Sequence, residues 1–154
     1  MNKISSGSTF FNKKVFPVIW FGFIAFFVVV NTLDGLSFSQ PMFLIVPVAM
    51  AIFGYFLMRK LVWDLADEVY DGGEFLLVKN RGDEEKVWLS NIMNVNASTA
   101  VNPPRITLRL VKPGRFGGEI AFSPIRKFTL DPFARSEVAE DLIVRVDRAR
   151  SQRR

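Results

Sequence analysis

The segment "VFPVIWFGFIAFFVVVNTL", Val15 to Leu33, carries no charged side chain. As a helix rising about 1.5 Å per residue it is long enough for the roughly 30 Å hydrocarbon layer of a bilayer. A second uncharged run, "PMFLIVPVAMAIFGYFLM" from Pro41 to Met58, follows a connection whose one charge is Asp34. The pair predicts a transmembrane hairpin, with one helix over residues 15–33, an external turn over 34–40 and a second helix over 41–58. Lys and Arg are retained on the cytoplasmic side of such hairpins. Lys3, Lys13 and Lys14 precede the first run, Arg59 and Lys60 follow the second, and the turn has no basic residue. Both termini are therefore expected in the cytoplasm, with residues 1–14 as a short leading segment and Lys13, Lys14, Arg59 and Lys60 as anchor flanks. A signal peptide is the rival reading of the first run, but the run is too long, lacks a small-residue cleavage site and leads directly into the second.

Neither span contains Asp, Glu, Lys or Arg, the usual markers of an ion or substrate path. Pro17 falls in the first turn of its helix, where a missing N–H costs little, whereas Pro47 lies inside the second span. Gly22, Ala25, Ala49, Ala51 and Gly54 are small enough to let helices approach closely, either within the hairpin or at a seam between copies.

The other side chains narrow the chemistry. None of the 154 residues is Cys or His, which removes disulfides, thiol nucleophiles, thiolate metal sites and the commonest general base. A formal charge of +5 suits a surface near anionic lipid and falls short of a nucleic-acid-binding stripe.

After Lys60 the apolar pattern changes to period two. "MNVNAS" sets Met93, Val95 and Ala97 on one face and Asn94, Asn96 and Ser98 on the other; "RITLRLV" and "EIAF" alternate in the same way. Turn residues divide the segment at Asp71-Gly72-Gly73, Asn80-Arg81-Gly82-Asp83, Asn102-Pro103-Pro104 and Lys112-Pro113-Gly114. Strands are expected near 63–70, 75–79, 85–90, 93–99, 105–111 and 119–123, with a weak seventh near 128–130. From Asp131, an N-cap followed by Pro132, the residues Phe133, Val138, Leu142, Val146 and Ala149 recur at helical spacing, and the arginines gather late. One amphipathic helix should close the domain.

The order of elements and the stretches "DEVYDGGEFLLV", "WLSNIMNVNAS", "PPRITLRL" and "GGEIAFSP" resemble bacterial membrane-anchored proteins in which a two-helix hairpin precedes a pleckstrin-homology-like (PH-like) domain. The resemblance implies an α+β membrane protein: a transmembrane α-hairpin, then over residues 61–150 an antiparallel β-sandwich or barrel of six or seven strands closed by a C-terminal amphipathic helix, then a basic tail at 151–154. It also implies a bacterial inner-membrane location and a docking surface in place of a reaction. Phosphoinositide-binding members carry basic residues around the first strand pair. This chain has Asp64, Asp67, Glu68, Asp71 and Glu74 there, which would repel a phosphorylated headgroup.

"YDGGEFLLV", Tyr70 to Val78, approaches the Gly-Gly-Asp/Glu-Glu-Phe hairpin of diguanylate cyclases, but one metal-holding carboxylate is missing and the cytoplasmic part is too short for that domain. It reads as a strand turn in which glycine supplies positive φ. The run Asp83, Glu84, Glu85 reads as a solvated hairpin tip, and Ser90, Ser123 and Lys127 have no dyad spacing. No catalytic residue, metal ligand or cofactor is expected.

What remains is surface. Lys112, Arg115 and Phe116 in "VKPGRFGGE" and the terminal Arg153 and Arg154 are candidate contacts for anionic lipid; the alternative folds Phe116 back onto the sheet. The expected role is a non-catalytic interaction or assembly module that docks a protein partner, or copies of itself, at the cytoplasmic face, with the asparagine-edged "IMNVNAS" strand as contact surface. An anionic-lipid sensor is the alternative, and an accessory subunit of a membrane enzyme or transport complex a further one. Nucleic acid is not an expected partner.

Overall fold

The computed structural model describes residues 1–33, 42–125 and 136–152. The chain forms two compact units, one made of Phe10–Trp63 and the other of Met1–Thr9 together with Asp64–Arg154.

The first unit holds two long helices. A π-helical turn at Phe11–Val15 leads into α1, Phe16–Leu33, and α2 spans Met42–Leu61. Both are long and apolar enough to cross a membrane, and only 11% and 17% of their most apolar windows are buried. Phe23, Phe26, Phe53 and Phe56 are each more than 60% exposed, so within one copy these helices are not buried as core helices are. The two helices meet where the Trp20 indole lies directly over Gly54, which is buried. The indole fills the space between the helices, so one small residue suffices. Gly22 has open space around it, and Ala25 and Ala49 are exposed. Near the end of α1, Asn31 Nδ2 and Thr32 Oγ1 donate to the carbonyls of Phe27 and Val28, each at 2.7 Å, which satisfies a donor of each within the helix itself. Pro47 stands inside α2. The expected turn at 34–40 lies outside the described residues.

The second unit has two antiparallel sheets. One has the order β1 (Asn2–Lys3), β2 (Glu68–Asp71), β3 (Phe75–Asn80) and β4 (Asp83–Trp88); the other is β5 (Ile92–Ser98), β6 (Arg105–Gly114) and β7 (Gly117–Phe122). The core between them is built from Val69, Leu76, Val78, Ile92, Ile106, Leu108 and Phe122, each without exposed surface. In β6 and β7 these are the inward positions that alternation gives, whereas β3 buries Leu76, Leu77 and Val78 in succession and leaves Phe75 only half-buried. A barrel was one of the two expected forms; among the described residues the sheets stay separate and do not close into one. β3 and β4 join through a two-residue turn with Arg81 at φ 55° and Gly82 at φ 90°, the left-handed pair that matches hairpin twist.

Helix α3, Glu137–Ser151, buries Ala139, Leu142 and Val146 against this core, and Val138 and Ala149 pack at its margin. Its cap is Ser136, whose Oγ accepts the Ala139 N–H. The cap expected at Asp131, the following Pro132 and Phe133, and the seventh strand near 128–130 lie outside the described residues.

Among the described residues a further strand, β1, is formed by residues that read as a polar leader. Asn2 pairs with Asp71 and Lys3 with Tyr70. Beyond them the chain ties the two sheets together. The Ile4 N–H donates to the Val69 carbonyl at 2.9 Å, the Ser6 N–H to the Ser123 carbonyl at 2.7 Å, and the Ile125 N–H to the Ile4 carbonyl at 2.9 Å. Ser5, with no exposed surface, accepts the Val69 N–H on its Oγ at 2.9 Å. The other end of the helical insertion returns to the same place: Leu65 bridges Ala121, and the Ala66 N–H donates to the Ala121 carbonyl.

A second correction concerns β5. The register shifts between Ile92 and Asn94, so Ile92 is the buried residue and Met93, expected on the inner face, is 41% exposed.

Ser5→Ala removes the acceptor of a buried N–H and is expected to lower the stability of the sheet unit by about 1–3 kcal/mol in a urea titration of the full chain. Gly54→Leu would drive a side chain into the Trp20 ring; a loss of about 1–3 kcal/mol, together with a changed tryptophan emission spectrum in detergent, is expected.

Candidate interaction surface

The hairpin turn between β2 and β3 contains the Gly-Gly pair of "YDGGEFLLV". Gly73 has φ 92°, its N–H donates to Asp71 Oδ1 at 2.9 Å, and the Gly72 N–H donates to the Phe75 carbonyl at 2.9 Å. The Phe75 ring lies against Gly72, so a Cβ there would require the ring to shift. The turn is then gripped from α3. Arg145 donates through Nη1 to Asp71 Oδ2 at 2.5 Å and through Nη2 to Oδ1 at 2.8 Å, and it also donates to the Gly73 carbonyl. Asp141, one helical turn earlier, accepts from the same guanidinium at 3.0 Å. This two-pronged geometry makes the strongest kind of arginine–carboxylate pair. It holds the Asp71 carboxyl below its ordinary range, mainly through the Arg145 hydrogen bonds and against the partial burial that would raise it; the Arg145 guanidinium is shifted upward by Asp71 in return.

Three other carboxylates of this acidic stretch have separate partners. Asp64 pairs with Arg105 at 2.5 Å, Asp67 accepts the Arg81 N–H at 2.6 Å, and Glu68 takes Lys3 at 2.5 Å and the Tyr70 hydroxyl at 3.0 Å. Lys3 lowers the Glu68 carboxyl more than any other neighbour does. Among the described residues no group of three Asp or Glu converges as a metal site would require.

The loop between β6 and β7, the candidate lipid contact, is fastened to β4. Arg115 pairs with Asp83 at 2.8 Å, and the Phe116 N–H donates to Glu85 Oε2 at 3.3 Å. The Glu85 carboxylate lies against Gly114, so a side chain there would have to displace it. Phe116 is half-buried and packs against the core, and the Lys112 backbone is held at both N–H and C=O by the Asn91 side chain at 3.0 Å each. The candidates Arg153 and Arg154 lie outside the described residues. Of the anchor flanks, Lys13 and Lys14 lie in the π-helical turn before α1, with Lys14 5.4 Å from the Phe10 ring centre, and Arg59 and Lys60 close α2.

Beside the Asp71–Arg145 clamp runs an open groove of about 410 Å³, lined by Glu74, Trp88, Ser90, Arg145, Arg148 and Gln152 among others. Trp88 is 52% exposed and stacks edge-on with Phe75, ring centres 5.5 Å apart. In the sequence Arg145 is one of the arginines gathered late in the amphipathic helix; its partner lies 74 positions away, and nothing local to either residue signals the pairing.

Asp71 loses stabilising charge when protonated. Its folded pKa lies below the unfolded value of about 3.9, so the contribution is complete above that pH and disappears as pH falls through the folded value. Arg145→Met is therefore expected to cost about 1–3 kcal/mol in denaturant titrations at pH 7, with the gap to the parent chain closing below about pH 4. A gap independent of pH would show that the clamp acts by packing alone. Compared with protein-family models, with curated proteins and with solved structures, the chain matches none.

Proposed function

We propose that the chain is a membrane-anchored, non-catalytic interaction or assembly module: the helical hairpin inserts in a bacterial inner membrane, and a PH-like domain docks a protein partner or further copies of the chain at the cytoplasmic face. One observation carries most of the reading. The chain leaves the sheet unit at Thr9 and re-enters it at Asp64, and both flanks hydrogen-bond to the stretch Ala121–Ile125. A folded sheet unit cannot be divided by a bilayer, so an inserted segment must cross an even number of times. Two helices long and apolar enough to cross lie between those flanks, with large aromatic side chains turned outward. Their basic flanks favour the cytoplasm for the sheet unit.

Two sheets with one amphipathic helix packed across the core support the PH-like assignment. The non-catalytic assignment rests on the chemistry at hand. Without Cys or His, catalysis would fall to carboxylates, Lys, Ser or Tyr, and the carboxylates at 64, 67, 68 and 71 are bound to separate structural partners. The lipid-sensor reading draws less support, because Arg115 is already paired and Phe116 packs against the core.

The absence of native cysteine makes the topology directly measurable. With Ser37→Cys and Asn94→Cys expressed separately, a membrane-impermeant maleimide should label the first in intact spheroplasts and the second only after lysis. Labelling of Asn94→Cys from outside, or release of the chain by alkaline carbonate, would reject the proposal. Affinity purification from native membranes with quantitative mass spectrometry then separates a foreign partner from self-assembly.

A further inference from the structure

The four sheet edges are not alike. β1 is two residues long, and β4, at the other edge of its sheet, carries Asp83, Glu84, Glu85 and Lys86. β7 is bridged near its end by Leu65, and Ser5 bridges Pro124 just beyond it. β5 is different. It is an edge strand in a stretch with no charged residue between Lys86 and Arg105. The Met93 carbonyl takes Arg150 Nη1 at 3.1 Å, while Asn94 to Ser98 make no hydrogen bond, among the described residues, outside the ladder to β6. Natural sheets protect open edges with charges, proline, bulges or shortness. β4 carries the charges, whereas beyond its bulge β5 has five open residues without a charge or proline.

Resting on the reading of the chain as an assembly module, we propose that β5 docks a second copy of this chain by antiparallel strand addition centred on Asn96. The sequence complements itself about that position: Asn94 falls opposite Ser98, Val95 opposite Ala97, and Asn96 opposite its own copy. Amides meet amides or hydroxyls on one face, and apolar side chains meet on the other. The bulge at Ile92/Asn94 and the Arg150 contact on Met93 end the open stretch on one side and so set the register. Self-pairing brings any charge on a strand close to its own like, and Asn94 to Ser98 carry none, so a second copy meets no such repulsion here, which favours it as occupant.

A single introduced thiol reports alone in this chain. In native membranes under mild oxidation, Asn96→Cys is expected to give a disulfide-linked dimer, and Glu84→Cys, exposed on the charged edge, at least fivefold less. In the cysteine-free chain, Asn96→Lys sets two ammonium groups against each other at the centre of the interface. Its mass in mild detergent should fall from dimer to monomer, with circular dichroism and melting unchanged. Equal cross-linking of the two cysteine variants, or a dimer that survives Asn96→Lys, overturns the edge pairing while leaving assembly through another surface intact. A parent chain that is monomeric in membranes overturns edge pairing and self-assembly together. An Asn96→Cys adduct with a different protein in place of the dimer overturns the second copy as occupant.

Discussion

The structure depends on a seam made by residues that look least structural. Ile4 to Ser6 are bonded on one side to Val69 and on the other to Ser123 and Ile125, so a short polar stretch joins both sheets. The sheet unit is consequently discontinuous in sequence, and the whole helical segment is an insertion within it. Closure of the seam waits until synthesis has reached Ile125, more than a hundred residues after Ser6 was made. Contacts of such sequence separation form late and carry a large loop-closure cost. If the helices are already held as a hairpin, their ends are close together before the seam forms, and that cost is reduced.

Charge serves a related purpose. The ion pairs Lys3–Glu68, Asp64–Arg105, Asp71–Arg145 and Asp83–Arg115 each join elements distant in the chain. Exposed pairs contribute little in water, and Asp83–Arg115, about 60% exposed at both partners, falls in that class. Asp71–Arg145 differs because both side chains are only about a fifth exposed and the contact is two-pronged. It holds α3 at the turn beside Gly72 and Gly73. The Gly-Gly stretch that resembles a nucleotide-cyclase hairpin is, in this fold, the anchor point of the closing helix.

What could be read from the sequence follows the length of the signal. The helices were visible because nineteen or so uncharged residues need no partner to be recognised, and the strands because their alternation and turn residues are local. The N-terminal strand was invisible: two residues cannot show a period, and Ser5 is buried because of a hydrogen bond to Val69, sixty-four positions away. Met93 was misplaced because a bulge shifts the alternation by one residue without changing composition. The loop carrying Lys112, Arg115 and Phe116 reads as free and cationic in sequence; Asp83 and Glu85, some thirty positions earlier, hold it to β4. In each case the missing information was a partner far along the chain.

Anchoring alters what a weak surface can accomplish. Five residues of strand edge bury far less than the roughly 1,600 Å² of a standard protein interface, so two copies free in solution would meet by such an edge only transiently. On the proposed reading, confinement to a thin layer at one face of a membrane would raise the effective concentration of the copies and limit the rotational freedom lost on pairing. Under those conditions a short, uncharged, self-complementary edge is sufficient for reversible association, and the same edge on a soluble domain would be an aggregation hazard. On that proposal the hairpin and the open strand form one physical arrangement, in which the apolar helices would supply proximity and the sheet would need to add only direction.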